Sequence, residues 1–259
     1  MAGCIADPQW AGSAGAEKKK LRGKMEKVMM RRVIAACALS ALMTGSALAG
    51  IQGVVPSEFE NVDAPSSFLF FGSARGYQFL IHESELTDYV GLSLNGLTWR
   101  AGSSSGYPSA DQLINNFEIR LSEGVAPADR TTNFASNIVG AQTLVRTGSL
   151  AIPAGSYPGG GSPNEWGLKI GFDRYVYNGG HLVIEIRHTG TALSGSLDAT
   201  STSTDGYGTR YASVWGSGFD TGGSFNANFI ITRLNAVPAP GALALMGVGL
   251  IASRRRRRN

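Results

Sequence analysis

Turn dipeptides interrupt residues 50–236 so often that a long helix finds no room, and this punctuation constrains the fold more than any other feature. Asn95-Gly96, Ser105-Gly106, Pro158-Gly159, Asn178-Gly179, Asp205-Gly206 and Gly222-Gly223 all pair residues that tolerate tight-turn backbone angles. Between them lie short segments whose apolar residues alternate with period two, the mark of a strand with one buried face. Leu92 and Leu94 share one face with Val90. Phe117, Ile119 and Leu121 alternate with Glu118, Arg120 and Ser122; Leu168, Ile170 and Phe172 repeat the pattern. Leu182, Ile184 and Ile186 stand opposite Val183, Glu185 and Arg187. Further strands are expected at 77–82, 142–146, 210–215 and 228–234, with one or two helical turns at 129–139. Strands this short, without crossover helices between them, predict an all-β fold: a single antiparallel β-sandwich or jelly-roll-like domain over 50–236.

Charge separates this segment from its flanks. The whole chain carries a net charge of +4, yet residues 50–236 hold 10 Lys and Arg against 16 Asp and Glu, a net charge of −6. A basic protein of this size suggests a nucleic-acid partner, but here the basic residues of the expected domain are scattered and outnumbered, so no nucleic acid is expected. Cys4 and Cys37 are the two cysteines, and both precede the domain. Disulfides, cysteine metal sites and cysteine nucleophiles are thereby excluded from it.

The flanks read as addresses. Residues 25–49 begin with a basic stretch containing Lys27, Arg31 and Arg32, continue through the apolar run 33–43, and end on Ala47-Leu48-Ala49. That is the pattern of a secretory signal peptide, with cleavage by signal peptidase between Ala49 and Gly50. The apolar run is too short to cross about 30 Å of hydrocarbon permanently. Residues 1–24 fit neither signal nor fold and are read as an extension ahead of the true start, which falls at Met25, Met29 or Met30.

At the other end, Val237-Pro238-Ala239-Pro240 is expected to break any preceding strand. An apolar run, 241–252, follows, and then Arg254, Arg255, Arg256, Arg257 and Arg258. As a helix the run would cover about 20 Å, and arginines after an apolar segment stay on the cytoplasmic side. Residues 237–259 resemble the sorting tail of the PEP-CTERM family: a Pro-x-Pro motif, a short transmembrane-like helix and a terminal arginine cluster. Ala239 stands where that family usually has glutamate. The resemblance is confined to the tail. It implies processing by an exosortase, a membrane protease, contact with the membrane through the tail before processing, and a place at the surface or in the exopolysaccharide matrix of a Gram-negative bacterium. An uncleaved tail anchor is the alternative.

No catalytic motif stands out in the domain. His181 and His188 bracket one strand at a spacing that puts them about 23 Å apart on opposite faces, and His82-Glu83 reads as an isolated pair. Glu118, Glu123, Asp173 and Glu185 lie on or beside strands, where two could face each other as a glycosidase pair. Asp198, Asp205 and Asp220 are placed in loops without calcium-loop spacing. The run Gly159-Gly160-Gly161-Ser162-Pro163 lacks the lysine and helix of a phosphate loop. No metal and no cofactor are expected. Trp99, Trp166 and Trp215, with Tyr107, Tyr207 and Tyr211, fall near turns or strand ends, where exposed rings stack on sugars. The leading expectation is therefore an exported, envelope-sorted, non-enzymatic surface or biofilm-matrix protein. The alternatives are a carbohydrate-binding module for exopolysaccharide and a secreted hydrolase.

Overall fold

Fifteen strands and five single 3-10 turns make up the regular structure of the computed structural model, which describes residues 50–219, Gly223 and 225–239. All strand pairs among these residues are antiparallel, and no α-helix occurs among them. A four-stranded sheet runs in the order β1 (Ile51–Val55), β15 (Thr232–Pro238), β4 (Leu92–Arg100), β9 (Trp166–Val176). A six-stranded sheet runs β13 (Phe225–Asn226), β12 (Tyr211–Ser217), β3 (Arg75–Ile81), β10 (Leu182–His188), β6 (Phe117–Gly124), β7 (Ile138–Arg146). Two small sheets complete the set: β14 (Phe229–Ile230), β11 (Leu197–Thr200) and β2 (Ser66–Phe68), and the pair β5 (Gln112–Ile114) and β8 (Leu150–Ile152).

The two large sheets share one core. Tyr77, Phe79, Ile119, Ile184 and Ile186 of the six-stranded sheet join Leu94, Leu97, Trp99 and Leu234 of the four-stranded sheet in a single buried cluster. Phe79 lies 6.3 Å from Trp99, centre to centre, with the ring planes 16° apart, so the sheets meet directly at that point. The period-two segments read from the sequence supply these residues. Ile119 and Leu121 pair across β6 and β10 with Ile186 and Ile184 in register, which keeps every branched side chain of that row on the core side.

Three expectations are corrected or made more exact. Asn95-Gly96 is not a turn; it lies inside β4 at a bulge, where the pairing slips by one residue against β15 and by two against β9. A bulge changes which face later side chains take. Leu92 and Leu94 face the core before it, Leu97 and Trp99 after it. Gly96 suits the spot because a Cβ there would stand 2.8 Å from Lys169 Cε and 3.2 Å from the Ile170 carbonyl oxygen. The 129–139 stretch does hold helical turns, of the 3-10 kind, at Pro127–Asp129 and Phe134–Asn137 before β7 begins. That segment covers the outer face of the six-stranded sheet, where Phe134 packs with Leu80, Val183, Ala212 and Val214 in a second buried cluster. Finally, β15 does end within the Val237-Pro238-Ala239-Pro240 motif, but after its first two residues rather than before it. Val237 and Pro238 pair with Ser93 and Leu92 as the last two residues of β15, a strand terminus being where proline is tolerated.

Gly50 precedes β1, where a Cβ would lie 3.1 Å from the Ala236 carbonyl oxygen. Strand β1 runs antiparallel to β15 from Ile51 opposite Ala236 to Val55 opposite Thr232. The first and last described residues therefore leave the same end of this sheet. Ala47, Ala49, Pro240 and Arg254 to Arg258 lie outside the described residues.

Candidate functional site

Each of the three tryptophans meets a different environment. Trp99 is fully buried. Its ring lies against Phe70 and Phe79, and its indole N–H donates to Thr232 Oγ1 at 3.0 Å. It offers no face to a sugar, which corrects the expectation, and the bulge that turns it inward is the reason. Trp166, at the start of β9, is half-buried, with the Arg100 and Arg233 guanidinium carbons 5.2 and 4.8 Å from its ring centre. Trp215, in β12 of the other large sheet, is half-buried at the rim of the core. The three indoles do not line one face.

Around Trp215 the sheet builds a ledge. Register sets Trp215 opposite Tyr77 on one side and Phe225 on the other, so the three rings share the core-facing side of the sheet at its edge. The Phe225 ring is 5.4 Å from that of Trp215 and remains 55% exposed. The Arg75 guanidinium carbon lies 4.5 Å from the Trp215 ring and 4.8 Å from that of Phe68. Phe68, on β2 of a neighbouring small sheet, also lies 6.4 Å from Trp215, so Phe68, Arg75 and Trp215 form a triangle with Phe225 beside its Trp215 corner. A cation over an aromatic face is held by the ring quadrupole, and guanidinium, weakly hydrated and flat, is the cation best suited to lie there.

Arg75 lacks the usual neutralising partner. None of the ion pairs among the described residues includes it, and its buried Nε has no hydrogen-bond partner among them. Burial pulls its pKa down, although a guanidinium remains protonated at neutral pH. The neighbour in register on β10 is His188, wholly buried among Phe70, Phe71 and Phe117. Its Nδ1 accepts the Gly190 N–H at 3.1 Å. Burial first, and the Arg75 charge second, lower its pKa to about 3, so the imidazole is neutral. In the cross-strand row Phe117, His188, Arg75, Ser217, Arg75 carries the charge alone.

Glu185 and Asp198 are already committed to the fold, whereas Glu123 and Asp173 are exposed. Burial would raise the Glu185 carboxyl, but hydrogen bonds from Gln142 and Gln78 and the Arg187 charge outweigh it and hold the pKa below the usual range. Arg120 adds a second cation at 3.5 Å while pairing also with Glu118. A carboxylate kept ionised in this way has no proton to give as a general acid. Asp198 lies in strand β11 rather than a loop, almost fully buried, 2.7 Å from Arg100. Arg100 also donates to the Phe59 and Glu60 carbonyls, so this pair ties the 59–64 segment to β4. Asp205 borders a shallow cleft of about 500 Å³ with Glu58 and Arg210, where Arg210 is already paired with both Glu58 and Glu85. Asp220 lies outside the described residues.

His82, read as isolated, is not. Its ring lies 4.5 Å from that of His181. The Ser84 N–H donates to His82 Nδ1 and the Glu83 N–H to His181 Nδ1, each at 3.2 Å. Each Nδ1 thus serves a backbone N–H of the 82–84 turn. Among the described residues no group of three or more His, Cys, Asp or Glu is placed to hold a metal ion, and no helix is long and apolar enough to cross a membrane.

Trp215 was legible in the sequence as a candidate; Arg75, Phe68 and Phe225 were not, because strands far apart in the chain bring them together. No family model, no curated protein and no solved structure matches this chain.

Proposed function

We propose that the chain is an exported, envelope-sorted, non-enzymatic protein of the cell surface or biofilm matrix, its 50–239 region a β-sandwich displayed outside the cytoplasm. The observation that carries this reading is the pairing of β1 with β15, which brings Gly50 beside Ala236. The segments read as a signal peptide and as a sorting tail are then joined to the domain at one end of one sheet. Signal peptidase acts on one segment and an exosortase on the other. The commitment of Glu185, Asp198 and His188 to buried structural roles supports a non-enzymatic domain over a secreted hydrolase.

Deleting residues 240–259 tests it without shortening β15. The truncated protein is expected in the medium, folded, while the full chain stays with the envelope. Unchanged envelope retention would overturn the sorting role.

A second reading is favoured by a specific observation: Phe225, 55% exposed and packed on Trp215, offers an aromatic face of the kind that stacks on sugars. On this reading the domain contacts exopolysaccharide. Binding of 50–239 to an immobilised glycan, lost in Phe225→Ala, is the expected result.

A further inference from the structure

Arg75 sets a limit on which sugar polymer the ledge takes. A guanidinium can serve any sugar hydroxyl, but it binds a carboxylate far better, and in a domain of net charge −6 over residues 50–236 acids are at hand to neutralise it. Yet Arg75 is the member of the ledge without an acidic partner among the described residues, and the residue beside it in register, His188, is neutral.

We propose that the cluster Phe68, Arg75, Trp215, Phe225 binds an acidic polysaccharide, Arg75 pairing with the carboxylate of a uronic acid unit while Phe225 and Trp215 take the apolar face of a neighbouring sugar. This rests on the glycan-contact reading above and adds the chemical class of the glycan. Three observations carry it. The guanidinium lies against Trp215 and Phe68 at 4.5 and 4.8 Å, so its orientation is fixed before a ligand arrives and little side-chain entropy remains to be lost. Its planar fork matches a carboxylate with two parallel hydrogen bonds, which a lysine cannot do. Phe225 and Arg75 are separated by no more than about 10 Å, the two ring and cation contacts through Trp215 laid end to end, so successive units of one polymer reach both.

The experiment uses the 50–239 protein and four immobilised polymers: polygalacturonate, its methyl ester, a neutral β-glucan and polyglutamate. Expected is binding to polygalacturonate about tenfold tighter than to the ester, the worth of one charge-assisted contact, with polyglutamate bound more weakly than either. Arg75→Lys is expected to lose most of the acid preference, since charge survives but the fork does not. Phe225→Ala is expected to weaken binding to all three sugar polymers alike. Its exposure makes it tolerable to the fold, so it reports even where an Arg75 variant is destabilised. Equal binding to polygalacturonate and its ester overturns the acidic assignment and leaves glycan contact standing. Binding to polyglutamate as tight as to polygalacturonate overturns the sugar role of the rings. Binding to no polymer overturns both readings.

Discussion

His188 is a titratable group buried where it cannot hold a proton, and that makes it a source of pH dependence. Its folded pKa is lowered to about 3 by burial and by Arg75, against an ordinary value near 6.5 in the unfolded chain. A depressed folded pKa contributes stability that is fully present above the unfolded value and lost as pH falls toward the folded one. Between about pH 6 and pH 4 unfolding therefore becomes easier by about 1.4 kcal/mol per pH unit through this residue alone. Urea midpoints of 50–239 at pH 7, 6, 5 and 4 measure it. His188→Phe, flanked by Phe70, Phe71 and Phe117, is expected to flatten that slope; an unaltered slope would place the acid sensitivity elsewhere. A second residue-scale expectation concerns Arg100, which is 1% exposed. Arg100→Met leaves Asp198 buried and unpaired and is expected to cost about 3–5 kcal/mol, read from the shift in urea midpoint. Neither residue was legible beforehand. Sequence spacing placed His188 at a strand end and Asp198 in a loop, and only pairing between distant strands encloses them. Trp99 shows the same limit: alternation extrapolated from Leu92 and Leu94 puts it outward, and the single extra residue at Asn95-Gly96 reverses it.

Strands were legible where one face is apolar and the other polar, as in β6 and β10, because alternation is a direct image of a one-sided sheet. They were misread where a local rule met a tertiary exception. Proline removes a donor, yet Pro238 closes β15, where the ladder ends anyway. The overlap of Val237 and Pro238 with β15 has a consequence for processing. A protease that cut before Pro238 would have to peel the end of a strand flanked on both sides by β1 and β4. Intact-mass measurement of the mature protein is therefore expected to find a C-terminus at Ala239 or beyond. A C-terminus upstream of Val237 would show that processing precedes closure of this sheet. Stability tracks the same boundary. A chain ending at Ala236 lacks two cross-strand pairs and is expected to be about 1 kcal/mol less stable than one ending at Ala239, as read by denaturant midpoint. A chain ending at Ile231 lacks β15 altogether, leaves β1 without its partner, and is not expected to fold by circular dichroism.

For the molecule as a whole, the two parts of its charge oppose each other at the ledge. The full chain has a pI of about 9.2, but without its terminal segments residues 50–236 carry −6, so the mature domain is expected to be retained by an anion exchanger at pH 7. An acidic polymer approaching Arg75 then meets attraction at contact and repulsion at range. Salt separates the two, because screening acts over about 30 Å at 0.01 M and about 10 Å at 0.1 M. Raising the salt across that interval removes the long-range repulsion, while an ion pair at contact, beside a half-buried guanidinium, is screened much less. A basic protein on a polyanion does the opposite and loses affinity steeply as counterions are no longer released to dilute solution. Affinity of 50–239 for polygalacturonate is therefore expected to hold level or rise between 0.01 and 0.1 M salt. Arg75→Gln is expected to bind weakly at both concentrations. A steep fall in the wild-type protein would mean that many scattered cations make the contact, and that Arg75 has no special part in it.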